Sequence, residues 1–386
     1  MNFEIVFSDN GKGLSADATL LKEHLNDLGH GVAAREPSRF RPRVIGEWSH
    51  SSKARRLGIE RAPEQAVRAV GTCIRRASGN RSRVRIFLEA VAAGDLLSGS
   101  RRVLIPNPEW LSWHEEWALP LMDLIACKTR SAEHRFAQER LPTFFLGFTS
   151  RDRSRTARSG VPGWDGNRHP SLASDEESPM RDPSWASGEF SSRSALHVAS
   201  GGTQKGTAEL VSVWRRHPEW PELTVLAGRA RSSLTGASNI RILSEWVSDV
   251  ELERLMQSCP IHVCCSISEG FGHTILESMS CGALVLTTDL APMNELVDEG
   301  RGLLVPPLSV EPMNWGRKAI LDPEALAAGI EQALLMSDDE IRSLGRNARA
   351  WYLENHRAFR SRMASFVARV TGLDSGWQPA DGPPPT

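Results

Sequence analysis

Short apolar runs alternate with amphipathic stretches along most of this chain. Phe3–Phe7, Val32–Ala34, Val84–Leu88, Val103–Ile105, Leu124–Ala126 and Phe144–Leu146 read as strands, and Ala16–Leu28 as a helix ending at Gly29. The second half repeats the pattern more cleanly, with strands Leu196–Ala199, Leu223–Ala227, Ile240–Leu243, Ile261–Cys265 and Ala283–Thr287 separated by helical stretches. Apolar runs alternating with helical patterns predict doubly wound parallel sheets. Ser248-Asp-Val-Glu251 and Ser337-Asp-Asp-Glu340 have the spacing of capping boxes, and Asp322-Pro-Glu opens another helix with proline in its first turn. Further helices are expected between Ile59 and Arg76 and over Ala358–Val370.

One stretch breaks the alternation. Between Arg151 and Ser192 nine serines, four prolines and four glycines leave few aliphatic side chains, which reads as a linker or loop. The expected organisation is therefore a first domain over 1–150, a polar linker over 151–192, a second domain over 193–357, a terminal helix over 358–371 and a frayed Pro-rich tail over 372–386.

Composition adds bounds. A chain of 386 residues that is 40% hydrophobic suits two or three domains with proper cores, and a net charge of −1 sets up no field favouring nucleic acid. The charge is uneven, because Arg35–Arg85 holds fourteen Arg or Lys against four acidic residues. That stretch is either a surface for an anionic acceptor or acidic lipid headgroups, or a solvated arginine-rich face. Cys73, Cys127, Cys259, Cys264, Cys265 and Cys281 form no C-x-x-C pair, so a reducing cytoplasm is the simplest expectation. Met1–Phe7 reads as a strand and not as a signal peptide, and no run approaches ~18 apolar residues. The expected location is cytoplasmic, or peripheral at the inner face of the membrane through the 35–85 stretch.

The chemistry concentrates in Glu269-Gly-Phe-Gly-His-Thr-Ile-Leu-Glu277. Two carboxylates stand eight positions apart, across a glycine turn and the start of an apolar helix, with a strand on either side. Strand, glycine turn and helix N-terminus form a phosphate site, since backbone N–H groups and the helix dipole aim at the anion. Glu277 lies about one turn into the helix and is expected to face the same cleft as Glu269, where carboxylates accept hydrogen bonds from sugar or ribose hydroxyls.

This segment, continued by Leu276-Glu-Ser-Met-Ser-Cys-Gly-Ala-Leu-Val-Leu-Thr-Thr-Asp289 and Pro292-Met-Asn-Glu-Leu-Val297, resembles the E-x7-E region of retaining GT-B glycosyltransferases, the large glycosyl transferases group 1 family. The resemblance implies an α/β fold of two Rossmann-like βαβ domains facing across a cleft, with a C-terminal helix crossing back to the first domain. It implies that Glu269 contacts the donor sugar, that Glu277 binds the nucleotide ribose, and that Gly270, Phe271, Gly272, His273 and Thr274 line the donor site. The donor is then a UDP-, GDP- or ADP-sugar held by the second domain, with a glycan, lipid or other small-molecule acceptor on the first. No bound cofactor or metal is implied, and no Asp-x-Asp or His/Cys cluster asks for one.

Leu196-His-Val-Ala-Ser-Gly-Gly-Thr-Gln-Lys-Gly-Thr207 runs a strand into Gly201 and Gly202 and then Lys205 at a helix head. It resembles the family's Lys-Gly element. A lysine there neutralises charge on a departing diphosphate, so Lys205 and Glu269 are the catalytic candidates. The family usually carries an arginine five or six residues before that lysine, where this chain has Ser200 and Ala199. Arg229 or Arg231 either compensates or is an exposed loop charge. Transfer in the family is thought to be a front-face displacement in which orientation and electrostatics do the work. Glu295 in the following segment is a weaker candidate.

In the first domain, Asp9-Asn-Gly11-Lys-Gly13-Leu-Ser-Ala16 follows the first strand and resembles the glycine loop of GT-B acceptor domains. It also satisfies G-x-G-x-x-A with Glu36 twenty residues on, the dinucleotide fingerprint, which keeps a nicotinamide-dependent oxidoreductase as a lesser reading. The missing arginine keeps open a GT-B-like sugar-nucleotide binding protein without catalysis. Asn107, Glu109 and His114 lie in a segment that either faces the acceptor or supplies core tryptophans at 110, 113 and 117.

Overall fold

The computed structural model describes residues 1–9, 13–38, 83–96, 100–111, 115–154, 193–199, 203–228, 237–245 and 247–372. Expectations for Gly11, His114, Ser200, Gly201, Gly202, Arg229 and Arg231, for the helix between 59 and 76, for most of the 35–85 basic stretch, for 155–192 and for the tail beyond 372 fall outside these residues.

Two parallel sheets of six strands carry the fold. The first contains β1 (Asn2–Val6), β2 (Gly31–Arg35), β3 (Arg83–Leu88), β4 (Arg101–Ile105), β5 (Leu124–Cys127) and β6 (Thr143–Phe145), in the spatial order β2-β1-β3-β4-β5-β6. The second contains β7 (Ala195–Val198), β8 (Leu223–Leu226), β9 (Ile240–Leu243), β10 (Ile261–Cys264), β11 (Leu284–Thr288) and β12 (Leu303–Val305), in the order β12-β11-β10-β7-β8-β9. Central strands such as β5, β8, β10 and β11 are buried at every residue, which is why their sequences are apolar runs and not alternations. Both orders reverse beside the first strand of the domain, between β1 and β3 and between β7 and β10. In open α/β sheets ligands bind beyond the strand C-termini at such reversals.

Apart from β12, which the pattern did not mark, the strands and the first helix, α1 (Gly13–Asp27), fall where the pattern put them, within a residue or three at each end. Two further features do not. A hairpin, β13 (Ser309–Met313) and β14 (Gly316–Ile320), leaves the second domain through a two-residue turn with Asn314 at φ 50°. The helix expected to start near 358 is part of a single 34-residue helix, Asp338–Thr371, opened by the Ser337–Glu340 capping box. No break falls at 357/358.

That helix joins the domains. Residues 146–150 run beside it, and its side chains hydrogen-bond alternate carbonyls. Arg362 donates to Leu146 O, Asn355 to Phe148 O and Tyr352 to Ser150 O, each at 2.8 Å. Arg349 grips Asp152 with two bonds of 2.8 and 2.9 Å. Phe359 packs edge-on against His24 of α1, and Phe366 lies against Phe144. One apolar core runs through both domains. Among the described residues, no helix is long and apolar enough to cross a membrane.

Candidate functional site

The site is built at the two sheet reversals, which face each other across a seam. On the second domain, β7 leads to a short turn, Thr203–Lys205, and β10 leads to Ser266–Gly272. These neighbouring strands bring Lys205 Nζ to 2.5 Å from Glu269 Oε1, although 64 residues separate them. Ser266 Oγ donates to the same oxygen at 2.6 Å, and Thr288 on β11 holds the Ser266 carbonyl at 2.7 Å. The two catalytic candidates therefore form one fixed ion pair.

Gly272 caps the helix His273–Ser280 at φ 108°, a conformation that strains any residue with a Cβ. Gly270 is needed for space, since a Cβ there would sit 2.3 Å from Asn107 Cγ of the first domain. Phe271 buries its ring edge-on against Phe148, 5.5 Å between centroids, so its side chain serves the seam's apolar core. Thr274 follows His273 in the first helical turn, and its carbonyl accepts from Ser278.

Glu277 has a partner of its own. It pairs at 3.1 Å with Arg153, a buried arginine of the crossing segment that also meets Asp249 and Glu253. Burial works against the Arg153 charge, but Glu277 and Asp249 outweigh it and hold the guanidinium more firmly protonated than usual.

The first domain contributes groups that the sequence reading passed over. Asp17, one turn into α1, is buried and bridges Lys128 Nζ and His273 Nε2, both at 2.8 Å. Burial pushes its carboxyl up, yet the Lys128 charge and the His273 hydrogen bond bring it below its ordinary value. His273 completes the link through Nδ1 to Ser150 Oγ at 2.7 Å. Its ring thus joins the domains. Glu295, on a short helix after β11, accepts the N–H groups of Arg130 and Ser131 at 2.6 and 2.7 Å. These amides open the helix Arg130–Gln138 of the first domain. Glu295 therefore acts as a cap across the seam.

Glu89 directly follows β3 with φ 61° and accepts a hydrogen bond from the Asn107 amide. Burial raises its carboxyl, opposed by Lys128 and by that hydrogen bond. Glu109 lies against Gly316 of the hairpin, and burial, reinforced by Glu269 and Glu295, pushes it up to about 8. The hairpin closes over this loop. Asn314 donates to Glu109 O at 2.6 Å, and Trp315 donates to Glu116 at 2.8 Å while stacking on Phe136.

Of the other expected residues, Gly13 starts α1, Trp117 is buried in the core and Trp110 is exposed. Glu36, the acidic member of the fingerprint, accepts the Asp9 N–H at 2.9 Å. Asp17, Lys128 and Glu89 carried one legible mark. Lys128 directly follows the apolar strand β5, Glu89 directly follows the apolar end of β3 (Ile86-Phe-Leu88), and Asp17 interrupts the buried apolar face of α1.

Comparison with known proteins gives a consistent picture. Residues 196–351 match the family described as Glycosyl transferases group 1. Over 128 residues the chain is 32% identical to GDP-mannose:cellobiosyl-diphosphopolyprenol alpha-mannosyltransferase of Xanthomonas oryzae pv. oryzae (strain PXO99A), covering 29% of this chain and 33% of that protein. The match therefore spans about a third of the relative's length. Sucrose-phosphate synthase from Thermosynechococcus elongatus superposes with a TM-score of 0.66 at 14% identity, over 97% of this chain and 100% of its own. The E. coli trehalose-6-phosphate structure bound with UDP-2-fluoro glucose gives 0.59 at 12% identity, over 96% and 99%. At these identities the likeness establishes architecture. The chain has the two-domain fold of GT-B glycosyltransferases, and its residues 196–351 match the Glycosyl transferases group 1 family.

Proposed function

We propose that this protein is a glycosyltransferase that moves a sugar from a nucleotide-sugar to an acceptor with retention of configuration. The observation that carries the reading is the Lys205–Glu269 pair at the β7/β10 reversal, beside a helix N-terminus and inside the segment that matches the family. A diphosphate resting on the amides of Gly272, His273 and Thr274 has Lys205 as its counter-charge. Glu269 takes donor-sugar hydroxyls, and Lys205 holds it in place. Glu277 takes the ribose hydroxyls, with Arg153 fixing its carboxylate.

In this mechanism the acceptor hydroxyl attacks from the face that the phosphate is leaving, and that phosphate receives the proton. Lys205 stabilises the growing negative charge, so transfer should survive chelators. The first domain aligns the acceptor, and the seam excludes the water that would otherwise hydrolyse the donor. The Xanthomonas relative is named for GDP-mannose, and the E. coli structure is bound with UDP-2-fluoro glucose, so both nucleotides belong in the first screen.

The test is calorimetric titration of UDP, GDP, ADP and their sugar conjugates into the wild type and Glu277→Ala. One nucleotide series should bind and weaken at least tenfold in the variant, about 1.4 kcal/mol. Undiminished binding in the variant would refute the ribose role. Ala199, buried at the end of β7 at one of the two positions where the family carries arginine, favours a second reading, a nucleotide-sugar binder without turnover. Nucleotide binding with neither transfer nor donor hydrolysis would select it.

A further inference from the structure

We propose that Glu89, Asn107 and Glu109 form the acceptor subsite of the seam, and that it takes an uncharged, hydroxyl-bearing sugar ring and not a phosphorylated one. The inference rests on the glycosyltransferase reading, which supplies the donor side. Glu89 directly follows β3 at the reversal of the first sheet, and Asn107 and Glu109 follow β4 next to it. Asn107 packs directly on Gly270, so this group faces the turn that carries Glu269.

Glu89 stands in the left-handed region at φ 61°, which a non-glycine residue keeps only when its surroundings hold it there. The Asn107 amide nitrogen is committed to that carboxylate. What remains is a set of oxygens. Asn107 Oδ1, Glu109 Oε2 and, on the opposing turn, Ser268 Oγ are buried without a hydrogen-bond partner, in residues that are 8%, 6% and 1% exposed. Buried oxygens of this kind are normally satisfied, and a polyol supplies donors to each of them.

A phosphate would bring acceptor oxygens and negative charge instead. The field here already resists one carboxylate, since Glu269 and Glu295 add to burial in holding Glu109 protonated to about pH 8. Lys128 is the described cation whose charge reaches both Glu89 and Glu109, and its ammonium is committed to Asp17 and to the face of the Phe148 ring. Lys205, on the opposing turn, is paired with Glu269 and assigned to the donor diphosphate, so the subsite's own side chains present a phosphate with oxygens and no cation of their own.

The test uses the full chain saturated with its nucleotide, titrated by calorimetry with methyl β-glucoside, methyl α-mannoside and methyl β-cellobioside against glucose 6-phosphate and mannose 6-phosphate. At least one neutral glycoside should bind tenfold or more tightly than either phosphate. Glu89→Gln should weaken that glycoside at least threefold and narrow the neutral-to-phosphate ratio, which a general loosening of the fold would not do. A sugar phosphate binding as tightly as the glycosides, no binding of either class to the nucleotide-loaded protein, or an unchanged ratio in Glu89→Gln would each overturn the proposal. Failure of every nucleotide to bind the wild type would instead overturn the donor reading beneath it.

Discussion

Removing the Glu295 carboxylate should unfasten the seam. Glu295 accepts two backbone N–H groups, from Arg130 at 2.6 Å and Ser131 at 2.7 Å, and sits at the positive end of the helix they open. Hydrogen bonds to a charged group contribute about 1.5–3 kcal/mol each, and a carboxylate at a helix N-terminus a further ~0.3–1 kcal/mol. Glu295 is partly exposed, and both amides find water once the domains separate, so the total is discounted below the ~3.3 kcal/mol to which the lower ends of those ranges sum. About 2 kcal/mol is a reasonable total, or roughly 30-fold in the balance between joined and parted domains. Amide hydrogen exchange reads this directly. In Glu295→Ala the Arg130 and Ser131 amides should exchange roughly 30-fold faster, and kcat/KM for the nucleotide-sugar should fall at least tenfold. Affinity for the free nucleotide, held by the second domain, should change less than twofold. Glu295→Gln, which keeps the shape and loses the charge, should fall between. Unchanged exchange at 130–131 in Glu295→Ala would refute the reasoning.

Other outcomes follow from the same geometry. Gly270→Ala places a Cβ 2.3 Å from Asn107 Cγ and 2.8 Å from Asn107 Cβ, so thermal unfolding should show a loss of about 1–3 kcal/mol. Adding Asn107→Ala should restore only part of it, because the second of those contacts persists. Lys205→Ala should cut kcat by about 10²–10³ with a much smaller effect on nucleotide affinity, measured by single-turnover kinetics and calorimetry. Glu109 has a folded-state value near 8 against 4.5 for the free side chain. Its contribution to stability is present in full below about pH 4.5 and is lost as pH rises through about 8. Denaturant unfolding across that window should slope downward in the wild type, and Glu109→Gln should flatten the slope.

Most of the strands were legible because the sequence writes buried parallel strands as unbroken apolar runs. The second-domain turn was legible for a different reason. Its residues are consecutive, and Glu269, the glycines and the helix start all lie in one nine-residue stretch. The first-domain side offered no such stretch. Asp17, Glu89, Asn107 and Lys128 come from four separate connections, and only the sheet brings them together. The hairpin was missed because Ser309–Met313 has no apolar run, being a two-stranded ribbon with largely exposed residues. The long helix was read in part because its middle, from Gly345 to Arg357, is mostly polar where it passes between the two domains. Glu277 and Glu295 show the limit of motif reading. The chain spacing puts both near the donor, and only the structure reveals that their carboxylates are shared with Arg153 and with the start of a first-domain helix.

The 34-residue helix has a consequence for how such a chain can be recombined. Its first turns belong to the second domain, while the residues beyond Tyr352 complete the first, gripping 146–150 and packing on α1 and Phe144. The first domain is therefore discontinuous in sequence, its main body at one end and its last packing surface at the other. An exchange of acceptor domains cut only near residue 150 would strip that surface away and leave Phe359 and Phe366 facing a stranger. A functional chimera has to carry the end of the helix along with the beginning of the chain.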